Sequence, residues 1–269
     1  MLDILDGNTK ALKQAIATHQ SGEERQGAEE GERYYDYEHD ILDNRIFYID
    51  DNDQMQEDEL ASNIKIPHPF FTELVDQASS TLLSNGVELQ AEDESFLKYL
   101  EEYWDEDIQL FLQEIIDGVG IKGKEYAYVK QMPGNYATSR ITFQVADSLQ
   151  TFPIINAAGE TVGVVRYYDL ELMVDDKPEM VEHAEVWTAD DVTFYRMNKK
   201  REYELNADRT PNPRSHILAE QLNEDDELEL LGKSFGRVPF FKLKNNRKEF
   251  SDLKPIKELI DDYDLMNAF

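Results

Sequence analysis

The chain has 269 residues, with 57 acidic side chains against 27 Lys and Arg, a formal net charge of −30 and no cysteine. Its hydrophobic fraction of 41% can build a sizeable core and excludes a wholly disordered acidic chain. The lack of cysteine excludes a disulfide framework, a thiolate zinc centre and a cysteine nucleophile, and fits a reducing compartment.

Residues 1–20 read as a short helix, with Thr9 as candidate N-cap and Leu12, Ile16 and Ala17 on one face. Residues 21–33 carry three glycines, five acids and nothing apolar larger than alanine, which predicts a solvated, mobile linker. After the aromatic-rich run from Tyr34 to Leu42, Asp50 to Glu59 reads as an exposed acidic loop. Pro67 and Pro69 introduce a helix with Phe71, Leu74, Val75, Ala78 and Leu82 on one face, stopped at Asn85-Gly86. A second helical pattern starts near Ser95 with Phe96, Leu97, Leu100 and Trp104. It restarts at Asp105 and runs through Ile108, Phe111, Leu112, Ile115 and Ile116 to Gly118.

The period changes near residue 124. Glu125–Lys130, Arg140–Ala146, Val162–Tyr168, Val181–Trp187 and Val192–Met197 read as strands. They are separated by turns at Pro133-Gly134-Asn135, 156–159, 175–178, 189–191 and 198–200. Strands so closely spaced pair antiparallel, because a parallel crossover needs about a dozen residues or more. A Pro-containing loop at 210–213 and an acidic patch from Asn223 to Glu229 precede a last strand over 238–243. A final helix starts near Ser251-Asp252, with Pro255 in its first turn and Ile256, Leu259, Ile260, Tyr263 and Met266 on one side. It reaches Phe269 without stop chemistry, which suggests a chain cut within an element. The predicted fold class is α+β: a helical N-terminal part, an antiparallel hairpin-rich β region and a C-terminal stem-like helix. The predicted division is 1–33, 34–123, 124–250 and 251–269.

No apolar run approaches the ~20 residues that span a bilayer, and Met1-Leu2-Asp3-Ile4-Leu5-Asp6 has neither the basic nor the apolar region of a signal peptide. Several motifs resemble chemistry. Gly118-Val119-Gly120-Ile121-Lys122-Gly123 fits the dinucleotide pattern, but here a helix enters it and a strand leaves it, so the amide dipoles point the wrong way. Ser95-Phe96-Leu97-Lys98 and Ser251-Asp252-Leu253-Lys254 fit a serine–lysine pattern without its companion motifs, and both serines read as helix caps. His19, His39, His68, His183 and His216 show no zinc spacing. Asp50-Asp51-Asn52-Asp53 could open a calcium loop, but Met55 stands where its glycine belongs and Ala61 where its bidentate acid belongs. Adjacent acids such as Asp190-Asp191 and Asp261-Asp262 are expected by chance among so many. The residues select no catalytic, cofactor or metal ligand set.

An ordered series of motifs carries further. It comprises Tyr34-Tyr35-x-x-Glu38-His39-Asp40-Ile41-Leu42, the Phe70/Phe71 to Val75-Asp76-Gln77 helix, Trp104 with the helix after it, and Gly123-x-x-Tyr126-Ala127. Val165-Arg166-Tyr167-Tyr168, Glu185-Val186-Trp187-Thr188-x-Asp190 and Val192-x-x-Tyr195 follow. Gly236-Arg237-Val238-Pro239-Phe240, Asn245-Asn246 and Ser251-Asp252-Leu253 close it. From about Tyr34 onward the chain resembles tailed-bacteriophage portal proteins of the SPP1 type. The resemblance implies a subunit of a ring, typically of twelve copies, at one capsid vertex. Double-stranded DNA would pass through that ring without sequence-specific binding during packaging and ejection. It implies terminase, the major capsid or scaffolding protein and a head-completion adaptor as partners, and a location in the virion, or in the host cytoplasm during assembly. It also implies no catalysis, no cofactor and no membrane, with the matching part corresponding to the wing and 252–269 to the beginning of a stem helix. On this reading the acidic balance suits either a conduit for a polyanion or simply an outer surface kept soluble, and association responds to salt and divalent cations. Two other readings stay open: an acidic DNA mimic or adaptor that binds a nucleic-acid-processing partner, and a glycosidase-like enzyme with a buried acid of raised pKa.

Overall fold

The computed structural model describes residues 1–58, 60–102, 106–132, 141–174, 177–222 and 228–268. Trp104, the turn at 133–135, Asp175-Asp176, 223–227 of the acidic patch and Phe269 lie outside the described residues. The fold is α+β with antiparallel sheets and a C-terminal helix. The chain divides into two compact units: Met1–Arg25, Glu106–Phe111 and Glu125–Leu243 in the first, and Gln26–Asp105, Leu112–Lys124 and Lys244–Phe269 in the second.

The first unit contains α1 (Thr9–Gln20), capped by the Asn8 side chain, which accepts from the Lys10 and Ala11 amides, and not by Thr9. Its main sheet runs in the order β10–β8–β7–β6–β5, with β9 also paired to β8. The strands are β5 (Thr151–Ile155), β6 (Thr161–Val174), β7 (Lys177–Trp187), β8 (Asp191–Met197), β9 (Tyr203–Leu205) and β10 (Arg214–Ser215). Period-two alternation sorts the two faces. Val165, Tyr167, Ala184, Val186 and Tyr195 pack with Ile4, Leu12 and Ile16 on the α1 side. On the opposite face Trp187, Val192 and Phe194 pack with Tyr126 and Tyr128 from β3 (Lys124–Gln131). That strand lies between β4 (Ile141–Ala146) and β13 (Phe240–Lys244) in a three-stranded sheet. A separate antiparallel pair joins β11 (Ile217–Leu222) and β12 (Leu228–Lys233).

The expected strands at 162–168 and 181–187 are longer in the structure, pairing continuously from Val164↔Trp187 to Val174↔Lys177. β5 was not foreseen because Pro153 lies within it. It is the edge of its sheet, where a missing N–H is tolerated.

The second unit holds most of α2 (Glu23–Tyr35), together with β1 (Phe47–Ile49), β2 (Met55–Glu57), α3 (Phe70–Leu83), α4 (Glu94–Glu101) and α6 (Lys257–Met266). α5 (Glu106–Lys122) enters this unit at Leu112. Its core is Tyr34, Phe71, Val75, Ile121, Leu253 and Ile260. The mobile linker expected at 21–33 is instead α2, whose buried stripe is Ala28, Gly31 and Tyr34. Small residues there permit close approach: a methyl on Gly31 would run into the Ile121 carbonyl oxygen. Glu23 and Glu24 in the first turn and Arg33 in the last complement the helix dipole.

Two expected helix faces and one expected loop are corrected. In α3 the buried side is Phe71, Thr72, Val75 and Ser79, while Leu74 and Leu82 face solvent. α6 begins at Lys257, after Pro255, and Ser251 caps the turn before it by accepting from the Leu253 amide. Its buried positions are Ile260 and Asp264, whereas Leu259 and Met266 are 69% and 78% exposed. Of Asp50 to Glu59, expected as an exposed acidic loop, 50–54 is an exposed turn but Met55–Glu57 is strand β2, which pairs with β1 at Phe47↔Glu57 and Ile49↔Met55.

One five-residue reversal recurs at 50–54, 156–160, 198–202 and 246–250. Its first residue is Asp50, Asn156, Asn198 or Asn246, whose side-chain oxygen accepts from the amides two and four positions on. The fourth residue is left-handed in each: Asp53, Gly159, Arg201 and Glu249, with φ of 57°, 83°, 57° and 58°. A side chain that mimics a backbone acceptor fixes such a turn locally.

Candidate functional site

Two clusters bring charged groups into positions that the sequence spacing concealed. In the second unit Asp264 is buried on α6. One carboxylate oxygen accepts from His39 Nδ1 at 2.7 Å, and the other from His68 Nδ1 at 2.6 Å and the His68 amide at 3.1 Å. His39 is fully enclosed, stacks on Tyr34 with centroids 4.5 Å apart, and directs Nε2 at the Tyr34 carbonyl. Both ring nitrogens therefore face acceptors, a geometry that fits the doubly protonated ring paired with the carboxylate.

Beside it, Lys257 lies 2.6 Å from Asp40 and 2.8 Å from Asp261. Arg33 reaches Asp40 at 2.6 Å, and the Tyr34 hydroxyl donates to Asp261. Burial opposes ionisation of Asp40, yet Lys257 and Arg33 together hold its carboxyl down at about 2. The Lys257 ammonium is held above its ordinary range: burial works against it, and Asp261 and Asp40 outweigh burial. The hub fastens α6 to α2, to the 3-10 turn Asp40–Asp43 and to the segment before α3.

In the first unit a pocket of about 580 Å³ opens on the sheet face away from α1. Arg166, Glu185 and Phe194 lie directly across neighbouring strands there. The Arg166 guanidinium stands over Tyr168 at 4.5 Å and Tyr128 at 5.6 Å, and Arg214 and Arg209 stand over Phe194 at 4.9 and 5.5 Å. Glu185 accepts from the Tyr168 hydroxyl and Trp187 Nε1, and lies 3.6 Å from Arg166. Lys130 lines the same pocket, where burial and then Arg166 push its ammonium down. His216 stacks on Trp187 and Phe235, accepts at Nδ1 from the Phe235 amide and directs Nε2 at the Asp191 carbonyl. That fixes the neutral tautomer, in line with the downward push of burial on its pKa.

The motifs weighed in the sequence all have structural work. α5 runs through Gly118-Val119-Gly120 and ends at Lys122; Gly123, at φ 85°, closes it by donating its amide N–H to the Val119 carbonyl. The Gly120 carbonyl accepts from Asp252 and Ser251, so this segment presents carbonyls and is packed by chain. Ser95 follows the true cap, Asp93, and bonds to it. Asp50 serves its hairpin turn, Asp191 accepts from the Thr188 hydroxyl, and Asp261 belongs to the Lys257 cluster. His19 meets the Tyr167 hydroxyl and His183 the Val181 carbonyl. The Asp117 carboxyl has its pKa raised, by burial and then by Asp76 against a Ser79 hydrogen bond; it does not line the pocket. No group of His, Asp or Glu able to hold a metal ion occurs among the described residues. Among them no helix is long and apolar enough to cross a membrane. Sequence reasoning missed Asp264 and singled out Arg166 and Glu185 only as members of the ordered motif series, not as a site; the signal for these two was their position inside aromatic, strand-forming runs.

The fold and these clusters define an α+β module in which buried charge fastens elements to one another. Over residues 14–268 the chain matches the family described as "Phage portal protein, SPP1 Gp6-like", and it belongs to that family. It is similar to the portal protein of Bacillus phage SPP1, 27% identical over 243 residues, which make up 88% of this chain and 44% of that protein. The chain thus spans less than half the length of the curated relative it matches.

Proposed function

We propose that this chain forms the wing part of a portal subunit and the beginning of its stem, in a ring of about twelve copies through which double-stranded DNA enters and leaves the capsid. Residues 34–123 and 124–250 form the helical and β-rich parts of the wing, and α6 leads into the stem. The chain supports and lines; it transforms no substrate, and the work of packaging belongs to a terminase partner. Capsid or scaffolding protein and a head-completion adaptor hold the ring at the vertex. The family match across nearly the whole chain carries this reading. Two further features support it. A net charge of −30 lets a polyanion pass without being gripped. The Asp264 hub gives the α6 helix a rigid base.

The test is to express the reading frame containing this chain and image the purified product by electron microscopy. Closed rings are expected, with association that changes with magnesium and ionic strength, and capsids assembled without the protein should contain no DNA. A product that stays monomeric under every salt condition, with capsids that fill normally in its absence, would overturn the proposal.

A further inference from the structure

We propose that the Arg- and aromatic-lined pocket of the first unit receives the acidic tip of the β1–β2 hairpin from a second copy of this chain. The inference deepens the ring reading, because it names a contact between copies.

The pocket inverts the charge of the protein. Acids outnumber Lys and Arg by about two to one in the chain, yet the pocket gathers Lys130, Arg166, Arg209 and Arg214 against Asp169 and Glu185. Glu185 is already engaged by Tyr168, Trp187 and Arg166. The stacked guanidiniums of Arg166 and Arg209 spend their faces on aromatic rings, and their N–H groups lie in the plane, the arrangement that takes a carboxylate through paired hydrogen bonds. A volume of about 580 Å³ admits several side chains and not a DNA duplex.

The hairpin has the matching chemistry. β1 and β2 form a sheet of their own, and the side chains on both faces are exposed. Phe47 and Tyr48 are half exposed, and Ile49 and Met55 are 70% and 71% exposed. An isolated two-stranded ribbon with neither face covered is marginal in water, so this one requires a cover. Asp50 spends its carboxylate on the turn, while Asp51 and Asp53 sit exposed at the tip. Apolar flanks suit the Tyr128, Tyr168 and Trp187 walls, and the tip carboxylates suit the cations. Hairpin and pocket are different surfaces, so the contact is heterologous, the type from which rings close.

A peptide of residues 45–58, titrated calorimetrically into the 269-residue chain, should bind saturably. Its affinity should fall tenfold or more with the Asp51→Asn/Asp53→Asn peptide, which raises no folding question, and similarly with the Arg166→Gln/Arg209→Gln chain. Because the chain has no cysteine, mixing Asp53→Cys and Arg214→Cys chains under mild oxidation should give the mixed disulfide in excess of either homodimer. Equal binding by all variants, or saturation by inorganic pyrophosphate but not by the peptide, would overturn the inference. Rings without peptide binding or the mixed disulfide would overturn it while leaving the portal reading intact. Peptide binding with the mixed disulfide, but without rings from the longer reading frame, would support it and count against the portal reading.

Discussion

Both units bury carboxylates but in different surroundings, Glu125 and Glu185 within the large apolar framework of the first and Asp264 beside the smaller core of the second. The first relies on a sheet with apolar side chains on both faces, Val165, Tyr167 and Val186 on one and Trp187, Val192 and Phe194 on the other. The second has a smaller apolar core and places a carboxylate, Asp264, in its interior, answered by His39 and His68. An acidic protein can thus use its excess charge as internal structure, provided each buried carboxylate meets enough donors.

The largest effect expected from breaking this contrast is in the second unit. Asp264→Ala leaves His39 enclosed without its partner, which should cost about 3–5 kcal/mol. Hydrogen exchange should accelerate in α6 and α3 while β6 and β7 stay protected; a loss below 1 kcal/mol in chemical denaturation would remove the hub from the account. Ile154→Ala in the first unit should cost about 2–5 kcal/mol through lost burial and a residual cavity, with the exchange pattern reversed.

Acidification should sharpen the contrast further with a smaller effect. His216 has its pKa lowered by burial, so the neutral ring contributes stability above pH ~6.5 that is lost as pH falls through and below that value. Asp40, held at about 2 in the fold, contributes stability present above pH ~4 and lost between there and about 2. Exchange measured against pH should therefore loosen the β8–β10 region first and the base of α6 later. Simultaneous loosening would contradict the assignment. Smallest is Arg201→Gly, which relieves a left-handed backbone at 57° and should raise stability by up to about 1 kcal/mol in thermal unfolding.

Much of the architecture could be read in the sequence. The switch from helical to alternating periodicity near residue 124, the antiparallel pairing and the C-terminal helix are all present. Local pattern failed where tertiary contact decided the outcome. Residues 21–33 look like a linker because Ala28 and Gly31 are small, yet smallness is what lets α2 press against the Ile121 carbonyl. In α6 periodicity favoured Leu259 and Met266 for burial, but Asp264 takes the inner position because partners 196 and 225 residues away meet it there. No spacing rule reaches over such separations. The pocket was hidden for the same reason: strand register, and not sequence proximity, sets Arg166 opposite Glu185 and Glu185 opposite Phe194.

The reversal shared by 50–54, 156–160, 198–202 and 246–250 has a consequence for how such a chain can diverge. Each bend is closed by its own leading Asp or Asn, and at 50–54, 156–160 and 198–202 the two strands it joins keep their alignment without help from distant neighbours. The three hairpin bends are accordingly comparable cassettes, whereas Glu249 in the fourth also pairs with Lys124 and Lys244. Surface chemistry at these corners can be rewritten by transplanting one into another, leaving the framework beneath undisturbed.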